Sequence, residues 1–324
     1  MPLLARSTAS PLRAVFARAS TTTSGTARTF GTTRPLASLK LAYELHEPPK
    51  AEPSGGKLPS EAAPILILHG LFGSKKNNRT ISRQLARDLR RPIYALDARN
   101  HGDSPHDPRH DYVAMAEDVE SFIDEHRLGS STLIGHSMGA KTVMTVALRK
   151  PEIVRDLIPV DNAPVDAALK NDFAAYIKGM MAIDEARIKR HMHAHQIIEP
   201  YCPEQAVEWF LFTNMKRRAE DDTLHFTIPL KYLAKALDAM GDFPFKNPDE
   251  ARYEGPTLMV RGTQSHYVPD ETLPIAGRFF PLFKVADIDC GHWVISQKPE
   301  EFRQAVVEFL KEDEHSRTLD GFAM

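Results

Sequence analysis

The chain has 324 residues, 42% of them hydrophobic and 26% charged, with a formal net charge of −2 at neutral pH and with acids and bases interspersed. This length and balance fit one globular domain that carries an insertion, and they exclude binding to nucleic acid through overall basic charge. The sequence lacks a glycine-rich phosphate loop, a C-x-x-C pair and an apolar run long enough to span a bilayer, so we expect no cofactor, metal or integral membrane segment.

The first 35 residues differ in composition from the rest of the chain. They are rich in Ser and Thr, and the first acidic residue of the chain is Glu44. Five arginines are spread through them: Arg6, Arg13, Arg18, Arg28 and Arg34. Segments that are rich in Arg and Ser, lack acids and begin with an amphipathic stretch are typical of mitochondrial presequences. We predict that residues 1–35 are a presequence directing the protein to the mitochondrial matrix, with a disordered tail as the alternative.

An apolar strand and a glycine-rich loop begin the predicted core, after a loose stretch at 48–64 that predicts a flexible surface hairpin. Residues 64–68 form an unbroken apolar run, which is typical of a buried parallel strand, and His69 to Gly73 follow as a loop. Acyl transfer needs backbone N–H donors aimed at the developing oxyanion, and such a loop can supply one. We predict Leu71 as this donor, with Phe72 as the next choice.

A second apolar strand, at 93–96, ends in a polar turn. Asp97, Arg99 and His101 lie in this turn among Asn, Gly and Ser residues. Turns of this composition commonly satisfy their own backbone through side-chain hydrogen bonds. We therefore predict that these three side chains fix the turn and take no part in catalysis.

The motif G-x-S-x-G at 135–139 is the strongest functional signal in the chain. An apolar run at 132–134 precedes it, and a helical pattern at 140–149 follows. A strand, this motif and a helix together predict a nucleophile elbow, a strained turn that lifts a serine hydroxyl above the edge of the sheet. We predict Ser137 as the nucleophile and the backbone N–H of Met138 as the second oxyanion donor.

The next predicted strand, at 157–160, ends at Asp161 and a turn bounded by proline. Catalytic groups gather at the carboxyl ends of parallel strands, so this carboxylate can reach the same edge of the sheet as Ser137. We predict Asp161 as the acid of a catalytic triad. A role confined to capping the turn is the alternative.

Residues 166–249 lose the strand pattern and show helical periodicity. We predict that they form a helical cap, which divides the hydrolase core into a first part at 36–165 and a second part at 250–324. A cap above the serine would exclude water and supply a substrate pocket. Trp209, Phe210 and Phe212 are the predicted pocket residues, and packing of the cap against the core is the alternative role for aromatics at this spacing.

Three histidines of the predicted cap, His191, His193 and His195, raise the question of a metal site. His191 and His195 have the i, i+4 spacing of zinc ligands, but no glutamate follows the first histidine, and Lys189 and Arg190 adjoin it. We interpret these histidines as a solvated face of the cap and predict no metal.

A short strand at 284–289 precedes the last candidate residue, His292. This histidine follows Gly291 and comes after both the serine and the acid in the chain. The order serine, acid, histidine is that of enzymes with a nucleophile elbow. We predict His292 as the general base.

Three of these motifs together resemble the α/β-hydrolase superfamily, and the likeness runs from about residue 39 to residue 310. They are H-G-L-F-G-S at 69–74, G-H-S-M-G-A at 135–140 and G-H-W at 291–293. More narrowly, they resemble small mitochondrial and bacterial esterases, a group that includes the yeast ethanol acetyltransferases. The resemblance implies an α/β fold with a mostly parallel central sheet, flanking helices and an inserted helical cap.

The resemblance also bears on the choice of the acid. In most α/β-hydrolases the acid follows the strand that here spans 257–262, where this chain has Ser265. In the esterase and acetyltransferase group the acid lies at the position of Asp161, with the same spacing from the serine. Asp270 and Asp289 remain alternatives, although Asp270 also suits the first turn of a helix, where it offsets the helix dipole.

The predicted function is hydrolysis of carboxylic esters or thioesters through an acyl-enzyme. Release of the acyl group by water makes the protein a hydrolase, and release by an alcohol makes it an acyltransferase. The expected partner is a small-molecule ester or acyl-thioester, with a short or medium acyl chain, and the sequence does not identify whether there is a protein partner. The alternative is a non-catalytic binding protein built on the same scaffold.

Overall fold

A seven-stranded sheet forms the centre of the computed structural model, which describes residues 38–49, 63–167 and 171–322. The predicted presequence at 1–35 and most of the predicted hairpin at 48–64 lie outside these residues. The strands are β1 (Tyr43–His46), β2 (Ile65–Leu68), β3 (Ile93–Leu96), β4 (Ser131–His136), β5 (Val154–Val160), β6 (Met215–Arg217), β7 (Leu224–Phe226), β8 (Thr257–Gly262) and β9 (Phe283–Ile288).

The central sheet has the strand order β1-β3-β2-β4-β5-β8-β9. Strand β1 runs antiparallel to β3, and the other neighbouring strands are parallel. Parallel neighbours require crossover connections, which are mostly helical. The carboxyl ends of β4, β5 and β8 therefore lie side by side at one edge of the sheet.

Helices cover both faces of this sheet. In chain order they are α1 (Arg79–Leu89), α2 (Tyr112–Glu125), α3 (Met138–Arg149), α4 (Asn171–Ala186), α5 (His191–Ile198), α6 (Gln205–Phe212), α7 (Leu230–Gly241), α8 (Leu273–Phe279), α9 (Val294–Gln297) and α10 (Pro299–Phe322). Within the parts of the chain that the structure describes, no helix combines the length and the hydropathy needed to cross a bilayer.

The two hydrophobic cores follow from the alternation of side chains along each strand. In β2, Leu66 and Leu68 pack on one face with α2 and α3, whereas Ile65 and Ile67 pack on the other face with α1 and α10. Successive side chains of a strand point to opposite faces, so a strand covered on both faces is apolar throughout. This is why β2 is an unbroken apolar run in the sequence.

Four helices, α4 to α7, lie between β5 and β8 in the chain, within the range predicted for the cap. The same region also contains an antiparallel hairpin, in which β6 pairs with β7. The periodicity of the sequence predicts helices alone here. Each strand of the hairpin has three residues, and Lys216 and Arg217 in β6 are exposed, so the pattern is too short and too polar to be recognised in the sequence.

A third hydrophobic cluster joins the cap to the core. Ile177 of α4 and Leu211 of α6 belong to it, together with Leu71, Phe72 and Met138 of the core. The cap therefore packs directly over the loop after β2 and the turn after β4.

Candidate active site

Ser137 occupies the turn between β4 and α3. Its φ of 56° and ψ of −113° lie outside the regions that non-glycine residues favour. The flanking glycines are required by close backbone contacts: a Cβ on Gly135 would lie 2.1 Å from the carbonyl oxygen of Gly139, and one on Gly139 would lie 2.7 Å from that of Leu68. This is the nucleophile-elbow geometry that the motif predicts.

Three side chains form a continuous hydrogen-bonded series at this edge of the sheet. Ser137 Oγ lies 2.9 Å from His292 Nε2, and His292 Nδ1 lies 2.7 Å from Asp161 Oδ2. Since a carboxylate only accepts, His292 donates from Nδ1, and its Nε2 is left to accept the serine proton. The arrangement is that of a nucleophile, a base and an orienting acid.

The carboxylate of Asp161 is fully buried and is held by one donor at the end of β8 and one in the loop that follows it. Its Oδ1 accepts the backbone N–H of Gly262 at 3.0 Å, and its Oδ2 accepts the hydroxyl of Ser265 at 2.5 Å. Ser265 occupies the position where most α/β-hydrolases carry the acid, and here it supports the acid of a neighbouring strand. The sequence showed that position 265 lacks the usual acid, but it did not indicate that Ser265 contacts Asp161.

The two other candidate acids are engaged elsewhere. Asp270 is exposed and forms an ion pair with Arg261 at 2.6 Å. Asp289 is also exposed and accepts hydrogen bonds from Thr263 Oγ1 and Gln264 Nε2 at 3.2 and 3.0 Å. Asp161 is thus the carboxylate that contacts His292.

Further residues around His292 were not recognised in the sequence. The ring of Tyr267 stacks on the imidazole with 4.1 Å between centroids, and burial raises the pKa of Tyr267 to about 12. His136 is a second neighbour, and its Nε2 lies 2.7 Å from the carbonyl oxygen of His292. Burial lowers the pKa of His136, so this ring is neutral and donates from Nε2. Both neighbours fix the position of the base.

The predicted oxyanion donors differ in whether their backbone N–H groups are free to bind an oxyanion. Met138 is the first residue of α3, so its N–H has no acceptor within the helix. Neither this N–H nor that of Leu71 donates to another described residue. The N–H of Phe72, in contrast, donates to His101 Nε2 at 3.0 Å. Phe72 is therefore corrected from a candidate oxyanion donor to a residue that anchors the loop.

The polar turn after β3 has the structural role that the sequence predicts. Asp97 accepts hydrogen bonds from the backbone N–H groups of Lys75 and Asp103 at 2.6 and 2.8 Å, and it forms an ion pair with the Lys75 ammonium group. Arg99 donates to both carboxylate oxygens of Asp118, at 2.6 and 2.8 Å. These contacts hold the loop that carries Leu71.

A cavity of about 450 Å³ adjoins the segments that carry Leu71, Ser137 and His292. Its wall includes Gly70, His136 and Trp293, each of which is next in the chain to Leu71, Ser137 or His292. Trp209 and Phe210 of α6 also line it. Phe212, the third predicted pocket residue, instead packs near the rings of His191 and Phe226.

The cap histidines do not form a metal site in the structure. His195 Nδ1 lies 2.8 Å from Glu208 Oε2, and this pair raises the pKa of His195. Over the described ranges, no group of three His, Cys, Asp or Glu side chains is arranged to hold a metal ion.

Comparison with known proteins agrees with this geometry. The profile of the family described as alpha/beta hydrolase fold matches residues 63–182. A probable alcohol acetyltransferase of Saccharomyces cerevisiae is 41% identical over 267 residues, which cover 78% of each chain. The sn-1-specific diacylglycerol lipase of Xenopus laevis is 37% identical over 254 residues, covering 76% of this chain and 80% of the lipase.

A solved structure extends the likeness to three dimensions. The structure of an esterase from a marine microorganism superimposes with a TM-score of 0.75 at 30% identity, covering 84% of this chain and all of the esterase. The sheet order, the elbow and these similarities agree. This chain belongs to the α/β-hydrolase family.

Proposed function

We propose that the protein is a mitochondrial serine hydrolase that cleaves carboxylic esters or thioesters through an acyl-enzyme. The observation that carries this proposal is the hydrogen-bonded series from Ser137 through His292 to the buried Asp161. The free N–H groups of Leu71 and Met138 supply the second requirement, which is donors for an oxyanion.

In the proposed first step, Ser137 Oγ attacks the carbonyl carbon while His292 Nε2 takes the hydroxyl proton. The carbonyl oxygen becomes an oxyanion, which accepts hydrogen bonds from the N–H groups of Leu71 and Met138. Asp161 holds the imidazole in the tautomer that can accept the proton and stabilises the imidazolium that forms. His292 then gives the proton to the leaving alcohol or thiol, and the acyl-enzyme remains.

In the second step, His292 activates an acceptor that attacks the acyl-enzyme. Water as the acceptor gives hydrolysis, and an alcohol gives a new ester by the same proton transfers. We propose that short alcohols as well as water serve as acceptors. The two relatives described above, a probable alcohol acetyltransferase and a diacylglycerol lipase, support both outcomes.

We further propose that the acyl group is short or medium in length. Cavities for small ligands span about 300–1,000 Å³, and the cavity beside the site lies near the lower end of this range at about 450 Å³. The rings of Phe210 and Trp293, whose centroids are 4.6 Å apart, narrow it.

A serine-directed fluorophosphonate probe tests the catalytic proposal. The purified protein should be labelled at Ser137 and should hydrolyse 4-nitrophenyl acetate, and Ser137→Ala should lose both properties while remaining folded. Labelling that persists in Ser137→Ala would place the reactive group elsewhere. The absence of labelling and of turnover in the folded wild type would favour the non-catalytic binding protein.

An acyl-chain series tests the substrate proposal. Turnover of acetate, butyrate, octanoate and palmitate esters is measured in water alone and in water with added ethanol. The products are separated by gas chromatography. We expect kcat/KM to peak at short or medium chains and ethyl esters to accumulate with ethanol. Rates that rise steadily to palmitate contradict the proposed chain length, and the absence of ethyl esters contradicts the use of alcohols as acceptors.

The mitochondrial location rests on residues 1–35, with their arginines, serines and lack of acids. We expect the mature chain to begin between about residue 20 and residue 36. Sequencing the N-terminus of protein from purified mitochondria measures this directly. An intact Met1 on cytosolic protein contradicts the proposal.

A further inference from the structure

The loop that carries the oxyanion donor Leu71 is a tight turn with a strained third residue. The N–H of Gly73 donates to the carbonyl oxygen of Gly70 at 2.9 Å, so Leu71 and Phe72 are the two central residues of the turn. Phe72 has a φ of 63°. Turns with a positive φ at the third residue favour glycine or asparagine there. A phenylalanine keeps this conformation only where neighbouring groups enforce it.

Two hydrogen bonds hold the backbone of Phe72, and they come from different parts of the fold. Its N–H donates to His101 Nε2 at 3.0 Å, and its carbonyl oxygen accepts Asn214 Nδ2 at 2.8 Å. His101 follows strand β3 of the core, whereas Asn214 lies in the cap, between α6 and β6. Phe72 and Asn214 are both buried, so loss of the amide leaves the carbonyl oxygen of Phe72 without a replacement partner. The cap thus supplies one of the two contacts that enforce the strain.

The cap also fixes the position of Asn214 itself. Its Nδ2 makes a second hydrogen bond, to the carbonyl oxygen of Leu211 at 3.2 Å, near the end of α6. Its own carbonyl oxygen accepts both the N–H and the hydroxyl of Thr227, at 2.9 and 3.0 Å. The amide that holds Phe72 is therefore tied to α6 and to the segment after β7.

The conformation of Phe72 matters for Leu71 because turn types differ in the torsions of both central residues. If Phe72 relaxed to a negative φ, the turn type would change, and the backbone of Leu71 would rotate with it. The N–H of Leu71 donates to no other described residue, so no second hydrogen bond keeps its direction. An oxyanion donor is effective only when it is aimed in advance at the position where the charge develops.

We propose that Asn214 is a positioning residue for the reaction: from the cap, it holds Phe72 in the conformation that aims the Leu71 N–H at the oxyanion. The cap is then part of the catalytic apparatus as well as a cover over the site. This inference rests on the proposed acyl transfer and adds the residue through which the cap acts on it.

Kinetics of Asn214→Leu test the proposal, because leucine has a similar size and lacks the donor. On 4-nitrophenyl acetate, kcat should fall about 10- to 100-fold, which is less than the loss of an oxyanion donor, since the Leu71 N–H is misaimed and still present. KM should stay close to the wild-type value, because the oxyanion forms only in the transition state. Asn214→Ala, which removes the same donor without placing methyl groups near Phe72, should lower kcat in the same way.

An inhibitor separates oxyanion binding from a general loss of structure. A trifluoromethyl ketone adds reversibly to the Ser137 hydroxyl, and the resulting oxyanion takes the position of the one in the reaction. Its Ki should rise by the same factor by which kcat/KM falls. Thr227→Val is the matched control, because it removes a hydrogen bond to Asn214 within the cap but leaves the contact with Phe72. This variant should keep the kcat and the Ki of the wild type, and circular dichroism confirms that each variant is folded.

The outcomes distinguish this inference from the proposed function. Wild-type kcat in a folded Asn214 variant overturns the positioning role alone, as does an equal fall of kcat in Thr227→Val. A fall of kcat/KM with an unchanged Ki also overturns it, because the loss would then not concern the oxyanion. A wild type that neither reacts with the fluorophosphonate probe nor hydrolyses the ester overturns the proposed function and this inference together.

Discussion

Three residues of the site and its oxyanion loop have a strained backbone. Phe72, Ser137 and Asp161 have φ values of 63°, 56° and 52°, although none of them is glycine. Such conformations cost about 1–3 kcal/mol each and persist only where the surrounding structure enforces them. Here the enforcing contacts are hydrogen bonds that bind the backbone N–H of Phe72 to His101, of Ser137 to Val160 and of Asp161 to Val260. The strain aims the serine hydroxyl and the carboxylate at His292.

Replacement of the acid tests its assignment at the residue scale. Asp161→Asn preserves size but leaves His292 in the wrong tautomer, so kcat on an activated ester should fall about 10³- to 10⁴-fold. Asp270→Asn is the matched control, because that exposed carboxylate pairs with Arg261 and its loss should leave kcat close to the wild-type value. Near-normal turnover of Asp161→Asn, with collapse of Asp270→Asn, contradicts the assignment.

The proximity of Ser265 to the acid gives a second prediction. Ser265 Oγ lies 2.5 Å from Asp161 Oδ2, so a carboxylate at position 265 can approach His292 Nδ1. Asp161→Asn combined with Ser265→Asp should recover about tenfold of the lost kcat, and full recovery is not expected because the new carboxylate is imperfectly placed. Asp161→Asn with Thr263→Asp is the control, since Thr263 contacts Asp289 instead. Equal rates for the two double variants would show that Ser265 does not have this reach.

The local sequence pattern predicts some residues of the candidate active site and not others. The chain order and the ends of apolar runs were enough to nominate Ser137, Asp161 and His292 from the sequence. The hydroxyl of Ser265 and the ring of Tyr267 reach the site from the loop after β8, through contacts between segments that are far apart in the chain. Periodicity carries no information about such approaches, so these residues were not predicted.

At the scale of secondary-structure elements, burial decided which strands the sequence revealed. Strands β2 and β4 are both buried along their whole length. The unbroken apolar run of β2 predicts it directly, and β4 is marked by the shorter run at 132–134. Strand β1 pairs antiparallel with β3 at the edge of the sheet, and the polar Glu44 and His46 interrupt its apolar residues, so no unbroken run marks it in the sequence. The hairpin β6–β7 lies in the cap and has three residues in each strand, so it was missed.

The turn between β4 and α3 supplies a prediction about stability. A Cβ on Gly135 would lie 2.1 Å from the carbonyl oxygen of Gly139, a backbone atom that cannot move without displacing α3. Gly135→Ala should therefore cost more than about 4 kcal/mol, or prevent folding. Gly129→Ala is the control: its φ is +63°, but nothing lies within 4 Å of the added Cβ, so only about 1–2 kcal/mol should be lost. Thermal unfolding followed by circular dichroism gives the Tm of both variants. Equal Tm values for Gly135→Ala and Gly129→Ala contradict the prediction that the clash at Gly135 is the larger cost.

At the scale of the whole molecule, the cap and the loops after β2 and β3 form one supporting layer for the site. Asn214, in the cap, donates to the carbonyl oxygen of Phe72 at 2.8 Å, and the N–H of Phe72 is in turn held by His101. Buried histidines are therefore part of the connection between cap and core. The cap and the oxyanion loop are therefore joined through the backbone of Phe72.

This layer predicts that acid destabilises the fold before most carboxylates titrate. Burial lowers the pKa of His110 to about 4 and that of His101 well below its usual value. His101 Nε2 accepts the Phe72 N–H only while the ring is neutral. In the unfolded chain both histidines titrate near about 6.5. Between the folded-state and unfolded-state pKa values, the unfolded chain binds more protons than the folded protein. The stability that the two neutral histidines contribute is therefore complete above about pH 6.5 and is lost as the pH falls toward 4.

The expected loss can be measured on one residue. For His110, the shift to about 4 corresponds to a fall of about 2 kcal/mol in the free energy of unfolding between pH 7 and pH 5. His110→Gln removes this titration, so the variant should be less stable at pH 7 but should lose about 2 kcal/mol less than the wild type on acidification. Urea unfolding followed by circular dichroism at pH 7, 6 and 5 gives both values. If the wild type and the variant lose the same stability over this range, the neutral histidines do not set the acid limit, and the buried carboxylates, such as Asp118, whose pKa is raised by burial, become the groups to examine.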